Sequence, residues 1–142
     1  MAYFSKDDKA KVAPLIKAVL GKYGLKGSIS IRHHMSLVVT IKSGKLNFME
    51  ADRKIQERDC MRKGHVLEIY NRDHLSANQY HSAEGHREVK ENTIADFYDE
   101  LFTAMKSAGW FDKSDIMTDY FHTAYYMDVN IGKWDRPYVL ER

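Results

Sequence analysis

The chain has 142 residues, 44% hydrophobic and 30% charged with two prolines, a composition that excludes a disordered or low-complexity protein and fits one ordered domain spanning 1–142. A domain of this size buries roughly two-thirds of the surface that its unfolded chain exposes, so it is expected to fold without a cofactor. Lys and Arg total 22 against 20 Asp and Glu, and the net charge of +2 supplies neither a strong basic field for nucleic acid nor the acidic surface of a DNA mimic.

The opening MAYFSKDDKAKV has charges where a signal peptide needs its apolar run, and no stretch approaches the roughly 18 apolar residues of a membrane span. Cys60 is the one cysteine, which excludes an internal disulfide and a cysteine-rich zinc site and suits a reducing cytosol. A protein retained in the cytoplasm, with no membrane partner, is the expectation.

Val12, Leu15, Ile16, Val19 and Leu20 fall on one helical stripe, with Ser5 and Asp8 spaced as a capping pair and Gly21 or Gly24 available to end the helix. Pro14 removes a backbone donor inside it, so a bend or a start near Lys11 is expected. After Gly27, SISIRHHMSLVVTIKSG alternates on both sides of the polar interruption Arg32–Ser36, which predicts a β-hairpin. Asn47 and Glu50 have capping-box spacing, and Phe48, Ala51 and Ile55 follow at helical intervals, giving a largely solvated helix closed by charges and Gly64. HVLEIY at 65–70 is a short strand candidate, and 71–90 is polar, aperiodic and rich in turn formers, which predicts a long loop. A loop of that length in a small domain is commonly functional, so it is a candidate binding element.

Thr93 and Asp96 are spaced to cap the clearest helix, in which Ile94, Phe97, Leu101, Met105 and Ala108 form the apolar stripe and Gly109 supplies the stop. From Phe121 to Ile131 apolar, aromatic and β-branched residues alternate with His122, Ala124, Tyr126, Asp128 and Asn130. The pattern predicts a strand from Asp119 to Ile131 inside the sheet, with Tyr125 and Met127 in the core and Tyr126 and Asp128 on the outer face. Together these elements predict an α+β fold: about three helices packed on one face of a mostly antiparallel sheet of about four strands.

Among seven histidines, the best metal set is His33 or His34 with Asp119 and His122, since imidazole and carboxylate together suit zinc, nickel, manganese or iron. A cation there would lower the pKa of water for a metal-dependent hydrolase. The alternative for these imidazoles is an exposed surface, because no helical ligand spacing accompanies them. His65, His74, His81 and His86, with Asp73 and Glu84, would meet only if the 71–90 loop folded back. Asp112, Asp115 and Asp119 are candidates for a cation or shared-proton cluster, with turn and helix capping as the simpler account. No phosphate loop, nucleophile elbow or implied Cys–His pair is present.

Trp110, Tyr120, Tyr126 and Trp134 beside Arg32, Lys133 and Arg136 form a candidate platform for nucleic acid. Tyr, Trp and Arg are also the usual anchors of protein interfaces, and the near-neutral charge favours protein. The candidate binding residues are therefore Arg32, Tyr120, His122, Tyr126, Asp128 and Trp134, with no catalytic residue assigned.

The order of KYGLKGSISIRHH, LVVTIKSGKLNF, DFYDELFTAMKSAG and SDIMTDYFHTAYYMDVNIGKWDRPY resembles that in small proteins of tailed bacteriophages and prophages. More distantly, it is similar to one of the large polyvalent protein-associated domains in phage and plasmid polypeptides delivered with incoming DNA. The SDxxTDYF and VNIG segments are its specific part, and the stretch from Ala51 to Lys90 departs from the pattern. The resemblance implies a mobile-element origin and a task in protecting that element from host defences, and it transfers no catalytic residue. The resulting expectation is a non-enzymatic counter-defence inhibitor that binds a host protein in the bacterial cytoplasm, with nucleic-acid binding and metal-dependent hydrolysis as alternatives.

Overall fold

A computed structural model of the protein describes residues 2–63, 73–110 and 124–141. Helix α1, Lys6–Lys22, starts on a capping box in which the Ser5 hydroxyl accepts from Asp8 N and the Asp8 carboxylate accepts from Ser5 N, each at 3.1 Å. The delayed start near Lys11 is therefore not adopted. Pro14 lies inside the helix at an exposed position, where burial of Val12, Ile16 and Leu20 outweighs the lost donor. Leu15 leaves the expected stripe and is 48% exposed. Gly24, at φ 67°, turns the chain out of the helix, as its lack of a Cβ permits.

Strands β1 (Leu25–Arg32) and β2 (Ser36–Gly44) form the expected hairpin, paired from Leu25↔Gly44 to Arg32↔Ser36. Its turn places both His33 (φ 55°) and His34 (φ 57°) in the left-handed region. Helix α2, Phe48–Lys63, begins where the Asn47 side chain accepts from Glu50 N at 3.1 Å, and Phe48 and Ala51 anchor it in the core.

The 71–90 loop is corrected by the structure, because it contains strand β3 (Leu75–Asn78) and the short helix α3 (Glu84–Glu88). Strand β3 is organised by tertiary pairing, antiparallel to a later strand from Leu75↔Ile131 to Asn78↔Asp128. Helix α4, Asn92–Met105, carries the expected buried stripe and ends through a 3₁₀ turn at Lys106–Ala108 and Gly109 (φ 92°). The Thr93–Asp96 cap does not form. Glu91 occupies the cap without a side-chain bond, and Arg87 draws in Asp96 and Asp99 at 3.0 and 2.7 Å.

Strands β4 (Tyr126–Ile131) and β5 (Val139–Leu140) complete a five-stranded mixed sheet of order β1–β2–β4–β3, with β5 beside β2. The fold is α+β, as expected. Antiparallel pairing joins β1 to β2 and β3 to β4, while β4 and β5 run parallel to β2. A parallel β2–β4 pair needs a long crossover, which the segment holding α2 to α4 supplies. Strand β4 lies inside the sheet; the part of the expected strand from Asp119 to Thr123 lies outside the described residues, as do HVLEIY and the Asp112–Asp115 cluster.

One face of the sheet is apolar, with Leu37↔Met127, Val39↔Val129 and Ile41↔Ile131 in register, all fully buried. Val12, Ile16 and Leu20 of α1, the α4 stripe and Phe48 of α2 join the same core. Burial of such side chains contributes roughly 1.5–3 kcal/mol each. Among the described residues, no helix is long and apolar enough to cross a membrane.

Candidate binding surface

The opposite sheet face follows from the same alternation. Ser28↔Thr40↔Asn130↔Ser76 and Ser30↔Val38↔Asp128↔Asn78 form polar rows, and Arg32↔Ser36↔Tyr126 forms the outermost one. Paired residues share a face, so Arg32, Tyr126 and Asp128 are brought together as candidate binding residues. The Arg32 guanidinium pairs with the Asp128 carboxylate across β2. Tyr126 is 40% exposed, whereas its neighbour Tyr125 is 3% exposed and donates its hydroxyl to Met105 O at 2.5 Å.

At the other end of this face the chain leaves β4 at Gly132, where φ is 74° and an added Cβ would lie 2.5 Å from Tyr138 N. Only glycine fits without displacement. Lys133 and Arg136 exchange backbone bonds of 2.8 and 3.1 Å around Trp134 and Asp135. Both feet of this turn are fixed: Gly132 N donates to Ile41 O at 2.8 Å, and Tyr138 donates its N–H to Asp73 O at 3.0 Å and its hydroxyl to Leu46 O at 2.8 Å. Trp134 is thus held 82% exposed on an anchored turn.

Between this turn and β2 lies a concavity of about 440 Å³, lined among others by Thr40, Lys42, Lys133 and Arg136. Its carboxylate, Glu141, accepts from the Ser43 hydroxyl at 3.0 Å and pairs with Lys26 at 3.2 Å. The Ser43 hydrogen bond and then Lys26 hold the Glu141 carboxyl below its usual range.

Tyr120, His122 and Asp119 lie outside the described residues, so the platform is traced here by Arg32, Tyr126 and Asp128, with Trp134 in the turn beyond the far end of β4. Trp110 is not part of it. Its indole donates to Tyr125 O at 2.8 Å and lies under Lys106, which makes it a packing residue. His33 and His34 are exposed in the hairpin turn. Among the described residues, no group of three or more His, Cys, Asp or Glu side chains is placed to hold a metal ion.

The 71–90 segment does fold back on α4, with a result its spacing did not signal. His81 and His86 lie 5.8 Å apart ring to ring and pack on Tyr98 at 4.4 and 5.1 Å. With His74, Asp52 and Tyr98 they line a cavity of about 330 Å³. Among the described residues, His81 Nε2 and His86 Nδ1 are buried without a hydrogen-bond partner. Burial, reinforced by His86, pushes the His81 imidazole down to about 4, and burial lowers His86 too. Both rings are therefore neutral at pH 7 and suited to hydrogen bonding or packing. His65 lies outside the described residues, while His74, paired with Asp73 at 2.7 Å, lines the same cavity.

Comparison with protein-family models, curated proteins and solved structures finds no match.

Proposed function

We propose that this chain is a non-enzymatic binding protein that uses the outer sheet face and the Trp134 turn to engage a host protein. Its setting is the cytoplasm of a bacterial host, and its task is to inhibit a defence protein on behalf of a phage or other mobile element. The mobile-element part of the reading rests on the sequence blocks described above. The binding part rests on one observation: Trp134 is 82% exposed on a turn pinned at both ends, directly after the strand that presents Tyr126. Covering a large exposed aromatic on a turn whose backbone is already fixed adds no backbone ordering cost, so more of its burial contributes to binding.

The test is affinity capture from host lysate with wild-type protein and folded Trp134→Ala. The reading expects a specific host protein retained by wild type and reduced about tenfold or more by the substitution, the range of an interface anchor. Equal capture by both would remove this surface as the interface.

A nucleic-acid reading is favoured by a separate observation, the placement of Lys133 and Arg136 on either side of Trp134. Filter binding of single-stranded DNA with a steep salt dependence, lost in Trp134→Ala, would move the assignment there.

A further inference from the structure

The 440 Å³ concavity between β2 and the 132–137 turn combines positive charge with hydroxyls in a way that packing does not require. Lys42, Lys133 and Arg136 all line it, and among the described residues none of them forms an ion pair. Glu141, its carboxylate, is already held by Ser43 and Lys26. The lining therefore sets three cations, unpaired among the described residues, against one carboxylate that is already held.

Thr40 adds the floor. It is 6% exposed as a residue and lines the concavity from β2. Ser28 lines the same wall and supplies another hydroxyl.

We propose that this concavity is a binding site for the dianionic phosphate group of a small phosphomonoester. Arg136 offers the planar fork that matches phosphate oxygens, the lysines act as point charges, and Thr40 and Ser28 donate to the remaining oxygens. Several cations suit a doubly charged monoester better than a singly charged carboxylate or a diester. The volume lies within the ordinary range of small-ligand sites, roughly 300–1,000 Å³, so the ester can carry a nucleoside or sugar. The anchored backbone around Gly132 fixes where Lys133 and Arg136 leave the turn, which limits the backbone part of the ordering cost of binding.

This inference goes beyond the proposed protein interface and does not depend on it, since Trp134 is not among the residues that line the concavity. The experiment is an amide-resolved NMR titration of the full chain with inorganic phosphate, adenosine monophosphate, adenosine and a short single-stranded oligothymidine without terminal phosphate. Saturable shifts at Thr40, Lys42, Gly132 and Arg136 are expected with adenosine monophosphate, at a Kd of about 1 mM or lower. Inorganic phosphate should shift the same amides, and adenosine should bind about tenfold more weakly or not at all. Affinity should fall below about pH 6, where the dianion takes up one proton and becomes a monoanion.

Lys42→Ala and Arg136→Ala should each weaken binding about tenfold with the remaining spectrum unchanged, whereas Lys17→Ala on α1 and Trp134→Ala should not. No shift with phosphate or the monoester at about 10 mM would overturn the site. So would adenosine binding as tightly as its monophosphate, unaltered affinity in both the Lys42 and Arg136 variants, or oligothymidine binding that the monoester fails to displace.

Discussion

Tyr125 and Tyr126 are chain neighbours with the same side chain, and the sheet assigns them opposite fates. Tyr125 is buried, packs 4.7 Å from the Phe4 ring and bonds Met105 O, while Tyr126 stands on the polar face beside the Arg32–Asp128 pair. The apolar face is covered by α1, α4 and the head of α2; the polar face carries Tyr126, the Arg32–Asp128 pair and the concavity lined by Lys42, Lys133 and Arg136. Stability is therefore concentrated on one side of β4 and the proposed recognition on the other, and substitutions on the two sides should separate.

The largest effect belongs to the covered side. Tyr125→Ala should cost roughly 3–5 kcal/mol by opening a cavity and leaving Met105 O without its hydroxyl donor. Urea unfolding measures it, and a loss under about 1 kcal/mol would mean that the two faces do not divide the energy as described.

Gly132→Ala tests the hinge between the faces. Its positive φ and the 2.5 Å approach of an added Cβ to Tyr138 N should cost about 2–3 kcal/mol. Unlike Tyr125→Ala, it should also disturb the Lys133 and Arg136 amides in an NMR spectrum. An unperturbed turn would show that the cation platform is not fixed by this close approach.

Much of this division was legible in the sequence. Period-two alternation from Tyr125 to Ile131 assigned each side chain to its face, and the hairpin and α4 followed from turn residues and apolar spacing. Strand β3 was not legible, because Leu75–Asn78 is only four residues long and gains its conformation by pairing with β4. The parallel β2–β4 arrangement is likewise a tertiary choice that local pattern does not encode. Arg32 and Asp128 were both visible as candidates, yet nothing in spacing announces that they meet. The Lys42–Lys133–Arg136 lining was hidden by its separation along the chain and by a near-neutral net charge. A cation on each side of Trp134 in a turn following a strand was its one local signal. The buried histidines were missed for a related reason: in a polar, aperiodic segment only the contact with Tyr98 and Phe102 of α4 reveals them as interior.

Those histidines give the next effect, and it belongs to the protein interior outside the sheet. Burial sets the folded His81 pKa at about 4, below the ordinary 6.5, and lowers that of His86. The unfolded chain then binds more protons than the folded one between these values. The stability tied to neutral His81 is fully present above about pH 6.5 and is lost as pH falls through about 4. The full shift corresponds to about 3 kcal/mol, reduced to about 2 kcal/mol by residual solvent screening of this partly exposed ring. Asp99 and Glu91 oppose the shifts and Arg58 adds to that of His86. Unfolding free energies measured at pH 7 and pH 4.5 should differ less in His81→Phe than in wild type. An identical difference in both would show that His81 is not what couples folding to acid.

The smallest effect on stability should come from the outer face, where it sharpens the contrast most. Tyr126→Ala should change unfolding free energy by no more than about 0.5 kcal/mol, because the ring is 40% exposed and leaves no cavity behind. Arg32→Ala breaks an ion pair whose side chains are 52% and 31% exposed, and solvent screening limits its contribution to under about 1 kcal/mol. If this face is the interface, the same two substitutions should weaken capture of the host partner about tenfold, since an aromatic anchor and its neighbouring guanidinium act when desolvated by a partner. Melting curves that match wild type combined with lost capture would locate recognition on this face. A Tyr126→Ala protein that unfolds like Tyr125→Ala would instead show that the polar side of β4 is interior in solution, and the proposed surface would have to be given up.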